Sequence, residues 1–269
     1  MTTRITNAAA QLTICAALSW AGVAGATPST TYWAPSTTYV QPFLVPHVTY
    51  DTYFWRGAIT GQPGSPLYPV ATGLTIGVLP FDALTLELGF DLLLPSPDPW
   101  LFNAKAGIPE GLFFEKSPSL AFGMFGVGTK GSTDTVPGTD YNVLYGQAQE
   151  NLPWGGYVSV GGYYGAGSRI LWLGSDGNEN RAGFMGAVAA PDINVNLPGL
   201  KKIVLVGDVQ TGENVFGAGG FGAYFYFTDT IDLLTGPVWF FDGALQPGQR
   251  DLLWTVQVDV DIPLFTPRR

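Results

Sequence analysis

Residues 84–92 have the sequence LTLELGFDL, in which apolar and polar residues alternate strictly. The even positions are all Leu or Phe, and the odd positions are Thr85, Glu87, Gly89 and Asp91. Successive side chains of a β-strand point to opposite faces, so one face of this segment is apolar and the other is polar. The pattern predicts a β-strand at the boundary between water and an apolar phase. Both a soluble β-sandwich and a membrane barrel produce such strands.

The same alternation recurs near the end of the chain, in residues 252–264. Apolar residues occupy one face of this predicted strand and polar residues the other: Trp254, Val256, Val258, Val260, Ile262 and Leu264 against Thr255, Gln257, Asp259 and Asp261. Phe265 follows directly. An amphipathic strand that ends in an aromatic residue resembles the C-terminal assembly signal of bacterial outer-membrane barrels, from which the tail 266–269 departs.

The composition excludes several classes of protein. Of the 269 residues, 46% are hydrophobic and only 12% are charged, whereas ordinary soluble domains are about a quarter charged. Beyond the N-terminal region, the chain has no run of about 18 apolar residues for a transmembrane helix. Its 36 Gly and 21 Pro residues favour short strands joined by turns. The formal net charge of −9 argues against nucleic-acid binding, and it fits either a cation-attracting interior or an acidic loop surface.

We therefore predict an all-β fold, a transmembrane antiparallel up-and-down β-barrel of about twelve strands, with ten or fourteen as alternatives. Closure of the barrel leaves no sheet edge with unpaired backbone groups in lipid. The predicted strands are 47–56, 68–79, 83–93, 100–108, 118–128, 140–149, 156–166, 181–190, 202–211, 214–227, 232–242 and 252–264.

The predicted connections give a separate indication of the fold. If the first strand starts at the periplasm, most outward connections are long and most inward ones are short, as in bacterial barrels. Two connections break this rule, because 212–213 is short for an outward loop and 191–201 is long for an inward turn.

The N-terminal region predicts export. Residues 1–26 have the features of a cleavable signal peptide, with Arg4, an apolar stretch and the cleavage site Ala-Gly-Ala at 24–26. Cys15 is the only cysteine and lies inside this segment, so the exported chain is expected to have no disulfide.

A tandem repeat follows the predicted signal peptide. Residues 29–42 read STTYWAP and then STTYVQP, and the proline that closes each copy excludes a helix. We interpret residues 27–46 as an extended Pro/Thr/Tyr-rich tether in front of a β-barrel of residues 47–269. A plug in the barrel mouth is the alternative.

Three motifs in the sequence are candidates for binding or catalytic chemistry. Residues 217–222, GAGGFG, match the glycine pattern of dinucleotide sites, but a strand follows instead of a helix, so the glycines are expected to bend the strand or make room for neighbours. His47 is the only histidine and has no visible nucleophile partner. The oxygen-rich residues 175–180 lack the ligand order of a calcium loop. We predict no catalytic, cofactor-binding or metal-binding residues.

The expected functional residues are of two kinds. Charged side chains on the polar faces of the strands are candidates for lining a pore: Glu87, Asp91, Lys105, Asp208, Asp259 and Asp261. Aromatic side chains near strand ends are candidates for membrane-interface girdles: Trp55, Trp100, Trp154, Trp239 and Trp254.

The chain resembles bacterial outer-membrane barrels of porin-like type, and residues 78–91 resemble uncharacterised exported barrel proteins. The resemblance implies a location in the outer membrane of the Gram-negative envelope, with contacts to outer-membrane lipid and to the barrel assembly machinery during insertion. The expected function is passive diffusion of small solutes or ions through a weakly cation-preferring channel. The alternatives are a non-conducting barrel that acts through its outer loops and, less favoured by the motifs, a membrane enzyme. No nucleic-acid partner is expected.

Overall fold

The computed structural model describes residues 28–55 and 69–264, so the predicted signal peptide lies outside the described residues. Thirteen strands make up a single sheet. Their bounds are β1 Pro46–Trp55, β2 Val70–Gly77, β3 Thr85–Leu94, β4 Trp100–Ile108, β5 Ser119–Gly128, β6 Asp140–Asn151, β7 Tyr157–Gly165, β8 Ala182–Ala189, β9 Ile193–Leu197, β10 Leu200–Gln210, β11 Ala218–Tyr226, β12 Ile231–Phe240 and β13 Leu252–Asp261.

The sheet closes on itself. Every strand pairs antiparallel with its neighbours, β1 pairs with β13, and β10 pairs with both β8 and β11. The ring therefore has twelve positions, because β9 pairs only with the beginning of β10 and shares one position with β8. This confirms the predicted antiparallel barrel of about twelve strands.

The long connection predicted at 191–201 is mostly strand. Pro191 lacks a backbone N–H and interrupts the ladder between β8 and β9, after Ala190 N–H has donated to the Leu205 carbonyl at 2.8 Å. β9 then continues along β10, and Leu197 pairs with Leu200 across a tight turn. The observed turn is therefore short, as bacterial barrels require at this end.

The short connection predicted at 212–213 is also different in the structure. β11 begins at Ala218, not at residue 214, so the connection spans 211–217. Val215 and Phe216 are buried because this loop folds into the barrel. Apolar loop residues that pack inward have the same sequence pattern as a strand, and for this reason the strand was predicted to begin too early, at residue 214.

Side chains alternate between an apolar outside and a polar inside. In β3, Leu88 points outward and is 45% exposed, whereas Glu87 and Asp91 point inward and are buried. In β13, Trp254 and Val258 point outward, and Gln257 and Asp259 point inward. An antiparallel barrel with an apolar outer wall is the architecture that crosses bacterial outer membranes with strands. The chain therefore has the architecture of an outer-membrane barrel.

In the described ranges, no helix is long and apolar enough to cross a membrane.

The two ends of the barrel differ in their connections. We call the end where β1 begins and β13 ends the turn end, and the opposite end the loop end. The loop end carries the longer connections, among them 129–139 and 166–181, whereas the turn end has short ones such as 152–156 and 198–199. Apart from the ten-residue connection 109–118 at the turn end, this asymmetry matches bacterial barrels, whose short turns face the periplasm and whose long loops face outward.

Four of the five predicted interface aromatics face outward at the ends of the barrel. Trp100, Trp239 and Trp254 lie at the loop end and are 39–43% exposed, and Trp154 lies in a turn at the opposite end and is 70% exposed. The prediction that Trp55 lies at the membrane interface is wrong, because its side chain points into the barrel and is 2% exposed. Its odd position in β1 puts it on the same face as Asp51, which the strand period requires.

A charge on the outer wall is expected to destabilise the barrel according to depth. Leu88→Lys, on the outer face of β3, should lower the free energy of unfolding in bilayers by about 2–4 kcal/mol, because the ammonium group enters hydrocarbon. Leu84→Lys, just before the same strand, should lower it by less than about 1 kcal/mol. Urea titration of folding into lipid vesicles measures both. Equal effects would contradict the membrane position of this wall.

Candidate functional site in the barrel interior

The interior of the barrel contains a chain segment that belongs to no strand of the wall. Residues 29–42, here called the luminal segment, run through the barrel, and most of their side chains are buried. The structure thus places the tandem repeat inside the barrel, where the sequence left a plug as the alternative to a tether. The wall side chains that bind this segment determine whether the interior is filled or open to water.

Asp208 in β10 is the main anchor of the luminal segment. Its Oδ2 accepts hydrogen bonds from the backbone N–H groups of Tyr32, Trp33 and Ala34 at 2.9–3.0 Å. The Ser36 hydroxyl donates to the same oxygen at 2.9 Å. Successive N–H groups that converge on one anion form a charge-assisted nest. A buried carboxylate in the wall is thereby stabilised by the backbone of the segment.

A second anchor joins Glu87 in β3 and Lys105 in β4. Glu87 accepts hydrogen bonds from the backbone and hydroxyl of Ser29 and from the backbone of Gln41. Lys105 Nζ donates to the carbonyl oxygens of Ser29 and Tyr39 and lies 4.0 Å from Glu87 Oε1. Both charged side chains are fully buried. Such a pair needs extra hydrogen bonds to offset desolvation, and the segment supplies them.

The hydroxyl groups of the second repeat bind the part of the wall formed by β5 and β6. Gln149 in β6 accepts hydrogen bonds from the Thr37 hydroxyl at 2.9 Å and from the Thr38 backbone at 3.1 Å. Thr38 and Ser119 hydroxyls lie 2.7 Å apart. The Ser and Thr residues of the repeat thus serve as partners for polar groups that the barrel wall would otherwise bury without hydrogen bonds.

Tyr32 occupies a slot made by glycines. A Cβ atom at Gly220 or Gly222 would overlap the Tyr32 ring, and one at Gly236 would lie 2.8 Å from the Tyr32 hydroxyl oxygen. That hydroxyl donates to the Pro237 carbonyl at 2.9 Å. Two of these glycines belong to the GAGGFG sequence at 217–222. The expectation that these glycines make room for a neighbour is therefore confirmed, and the neighbour is the luminal segment.

Aromatic residues close the loop end of the interior. The Phe216 ring packs edge-on against Tyr141 at 4.9 Å and against Phe125 at 5.7 Å, and it stacks on Trp172 at 5.4 Å. Trp172 is fully buried and sits in a short 3₁₀ helix of the loop 166–181, which folds inward. We call Phe125, Tyr141, Trp172 and Phe216 the loop-end cluster. It blocks the lumen on the outer side of the luminal segment.

The turn end of the interior contains a cavity of about 490 Å³, here called the turn-end cavity. It lies between the luminal segment and the strands that end there, and Tyr39, half exposed, marks its mouth. The carboxylates along its wall are Asp51, Asp232, Asp259 and Asp261. His47 is between two of them, with Nδ1 2.9 Å from Asp261 and Nε2 3.4 Å from Asp259.

All six predicted pore-lining residues lie on the inner wall, but they have different partners. Asp208, Glu87 and Lys105 bind the luminal segment. Asp259 and Asp261 border the turn-end cavity. The remaining residue, Asp91, accepts a hydrogen bond from Asn103 at 2.9 Å.

Sequence reasoning missed two acidic residues of the cavity. Asp51 is buried and accepts hydrogen bonds from the hydroxyls of Thr49 and Tyr53, which share its face of β1. Asp232 is the second residue of β12 and lies opposite Asp259 in the ladder. The alternation in β1, where His47, Thr49 and Asp51 fall on one face, was the available signal for the first. For Asp232, no signal was available in its own strand, because its place beside Asp259 follows only from the register between β12 and β13.

The oxygen-rich loop 175–180 forms an internal turn. Asp176 accepts hydrogen bonds from the backbone and side chain of Asn178, and these bonds hold the pKa of its carboxyl below the ordinary value. Within the described ranges, no group of three or more His, Cys, Asp or Glu residues has the arrangement of a metal site.

Comparison with known proteins gives structural likeness only. No protein-family model matches the chain, and no curated protein matches its sequence. An outer membrane channel from Pseudomonas putida F1 is similar in structure, with 12% identity over 88% of this chain and 100% of that chain, and a TM-score of 0.44. A triple mutant of the Rhodopseudomonas blastica porin has 14% identity over 71% of this chain and 55% of that chain, with a TM-score of 0.35. The fold assignment rests on the closed ring of strand pairs.

Removal of the Asp208 carboxylate should loosen the luminal segment. Asp208→Ala deprives three backbone N–H groups of their acceptor, and each bond to a charged group contributes about 1.5–3 kcal/mol. We expect hydrogen exchange of the Tyr32, Trp33 and Ala34 amides to become about 10- to 100-fold faster. Asp208→Asn keeps a carbonyl acceptor and should have a smaller effect, and Asp229→Ala, on the surface, should have none. Unchanged exchange in Asp208→Ala would show that the anchor lies elsewhere.

Proposed function

We propose that the protein is an outer-membrane channel for passive diffusion of small polar solutes or ions, and that the luminal segment and the loop-end cluster hold it closed in this structure. One observation carries the proposal. The buried charges Glu87, Lys105 and Asp208 of the wall are paired chiefly with the luminal segment, which is not part of the barrel. A wall of this polarity is suited to water once the segment leaves.

A weak preference for cations is part of the proposal. The inner wall in the described ranges carries more carboxylates than cationic groups: Asp51, Glu87, Asp91, Asp208, Asp232, Asp259 and Asp261 against Lys105, Lys202 and His47. A negative lining in a confined, low-dielectric lumen raises the local concentration of cations. The apolar outer wall supports outer-membrane lipid as the surrounding medium, and we propose the barrel assembly machinery as the partner that inserts it. We assign no catalytic role.

The alternative is a non-conducting barrel that acts through its outer loops. The burial of Trp172, Phe216 and Leu245 favours it, because these loop residues fill the outer mouth with apolar side chains. In that case the interior is a rigid core, and the loops that carry these side chains present a fixed outer surface. Electrical recording separates the two functions.

The two closures lie in series, which makes the channel proposal sharply testable. We expect few current steps in planar bilayers from the exported chain, from a variant without residues 28–42, or from Trp172→Ala, because each retains at least one closure. The combination of the deletion with Trp172→Ala should give discrete conductance steps. Trp154→Ala, at the rim, is the matched control. If the combined variant folds, judged by its altered gel mobility without boiling, and is still silent, the non-conducting alternative holds.

Selectivity tests the role of the turn-end carboxylates. In the opened variant, with a salt gradient across the bilayer, the reversal potential should have the sign of cation preference. Replacing both Asp259 and Asp261 by Asn should move it towards zero, because two negative charges leave the lining. Asp229→Asn removes a charge from the exposed turn-end surface, where Asp229 pairs with Lys201, and should leave the potential unchanged. An unaltered potential in the double variant would contradict a lining role for both residues.

A further inference from the structure

The turn-end cavity has the size of a small-molecule site. Ligand sites usually have volumes of about 300–1,000 Å³, and this cavity has about 490 Å³. Its mouth is at the turn end, where Tyr39 and Asp261 are partly exposed, and its floor is the luminal segment with Trp33. A molecule can therefore enter it from the periplasmic side without displacing the luminal segment.

Two carboxylates of the cavity wall have few partners: His47 is beside Asp259, and the Lys202 ammonium lies over the Tyr226 ring, next to Asp232 in the ladder. Asp232 and Asp259 are directly opposite in the β12–β13 ladder, an arrangement in which like charges repel. Oδ1 of Asp232 is buried and has no hydrogen-bond partner in the part of the chain that the structure describes. Asp259 is only 8% exposed, and its contact with His47 spans 3.4 Å. Buried carboxylates with so few partners favour the approach of a hydrogen-bonding cation.

Tyrosine rings line the wall next to these carboxylates, and Tyr226 pairs directly with Asp232 in the β11–β12 ladder. The rings belong to Tyr157, Tyr224 and Tyr226, and those of Tyr224 and Tyr226 lie 5.8 Å apart. The chain's own Lys202 already places its ammonium 4.5 Å from the centroid of the Tyr226 ring. Aromatic faces attract ammonium groups and also pack against hydrocarbon. Carboxylates beside a wall of rings match a molecule with an ammonium head and an aliphatic body.

We propose that the turn-end cavity binds aliphatic amines in their protonated form. The ammonium head lies between Asp232 and Asp259 and donates hydrogen bonds to both carboxylates, and the hydrocarbon body packs against the tyrosine rings. This names a solute class for the channel and rests on the proposed function for its role in transport. Binding itself requires no conduction.

Titration calorimetry of the refolded barrel with butylammonium tests the site. Asp232→Asn and Asp259→Asn should each weaken binding at least about tenfold, because each removes a charged acceptor. Asp229→Asn is the matched control: Asp229 lies in the turn just before Asp232, is exposed and pairs with Lys201 outside the cavity. This variant should bind within about twofold of the parent. Butyrate, with the opposite charge on the same body, should give no binding heat.

Three results would overturn the proposal: no butylammonium binding by a folded barrel, equal affinity in all variants, or binding of Ca²⁺ but not of butylammonium at the same carboxylates. Current recordings keep this test separate from that of the channel. Binding without current in the opened variant removes the channel and leaves the site. Current without binding removes the site and leaves the channel.

Discussion

Closure of the sheet is the constraint on which the rest of the structure depends. In hydrocarbon, each unpaired backbone N–H or C=O group has a free-energy cost of several kcal/mol, and a sheet avoids this cost at its edges only by closing into a ring of paired strands. The β1–β13 pairing completes this ring. Once the ring faces lipid, apolar residues such as Leu88 must lie outside, and polar residues such as Glu87 are left facing inward. A closed barrel in a membrane therefore creates a polar interior that must be hydrated or filled.

This protein fills its interior with groups of two kinds. At the loop end, the rings around Phe216 form a small apolar core like that of a soluble domain. In the middle, the luminal segment offers backbone N–H groups and hydroxyls to Asp208, Glu87 and Gln149. The segment thus does for these side chains what water does in an open pore. The turn-end cavity is the part of the interior that neither kind of group occupies.

The sequence predicted the wall well and the contents of the barrel poorly. Alternation in β3 and β13 is local, because each side chain's face follows from its position along its own strand. The placement of the luminal segment depends on contacts between distant residues, such as Tyr32 with Pro237, which no local pattern encodes. A strand-end aromatic residue is typical of an interface girdle, which predicts the wrong position for Trp55. Its alternation with Asp51 in β1 indicates instead that its side chain faces the barrel interior. The position of Asp232 beside Asp259 follows only from the β12–β13 register, which the sequence does not give. β9 is not predicted because Pro191 resembles the start of a loop.

The position of the luminal segment also constrains the order of assembly. The segment precedes β1, yet its main anchor is in β10, and the Tyr32 slot is formed by β11 and β12, so the bond from Tyr32 to Pro237 joins residues 205 positions apart. Contacts of such separation form late, because the loop they close is long. A segment that precedes β1 is thus among the last parts of the chain to reach its final place. Until it docks, Asp208 lacks the N–H donors that the segment supplies and is left to water, so the middle of the growing barrel stays hydrated and loses this water as the segment docks.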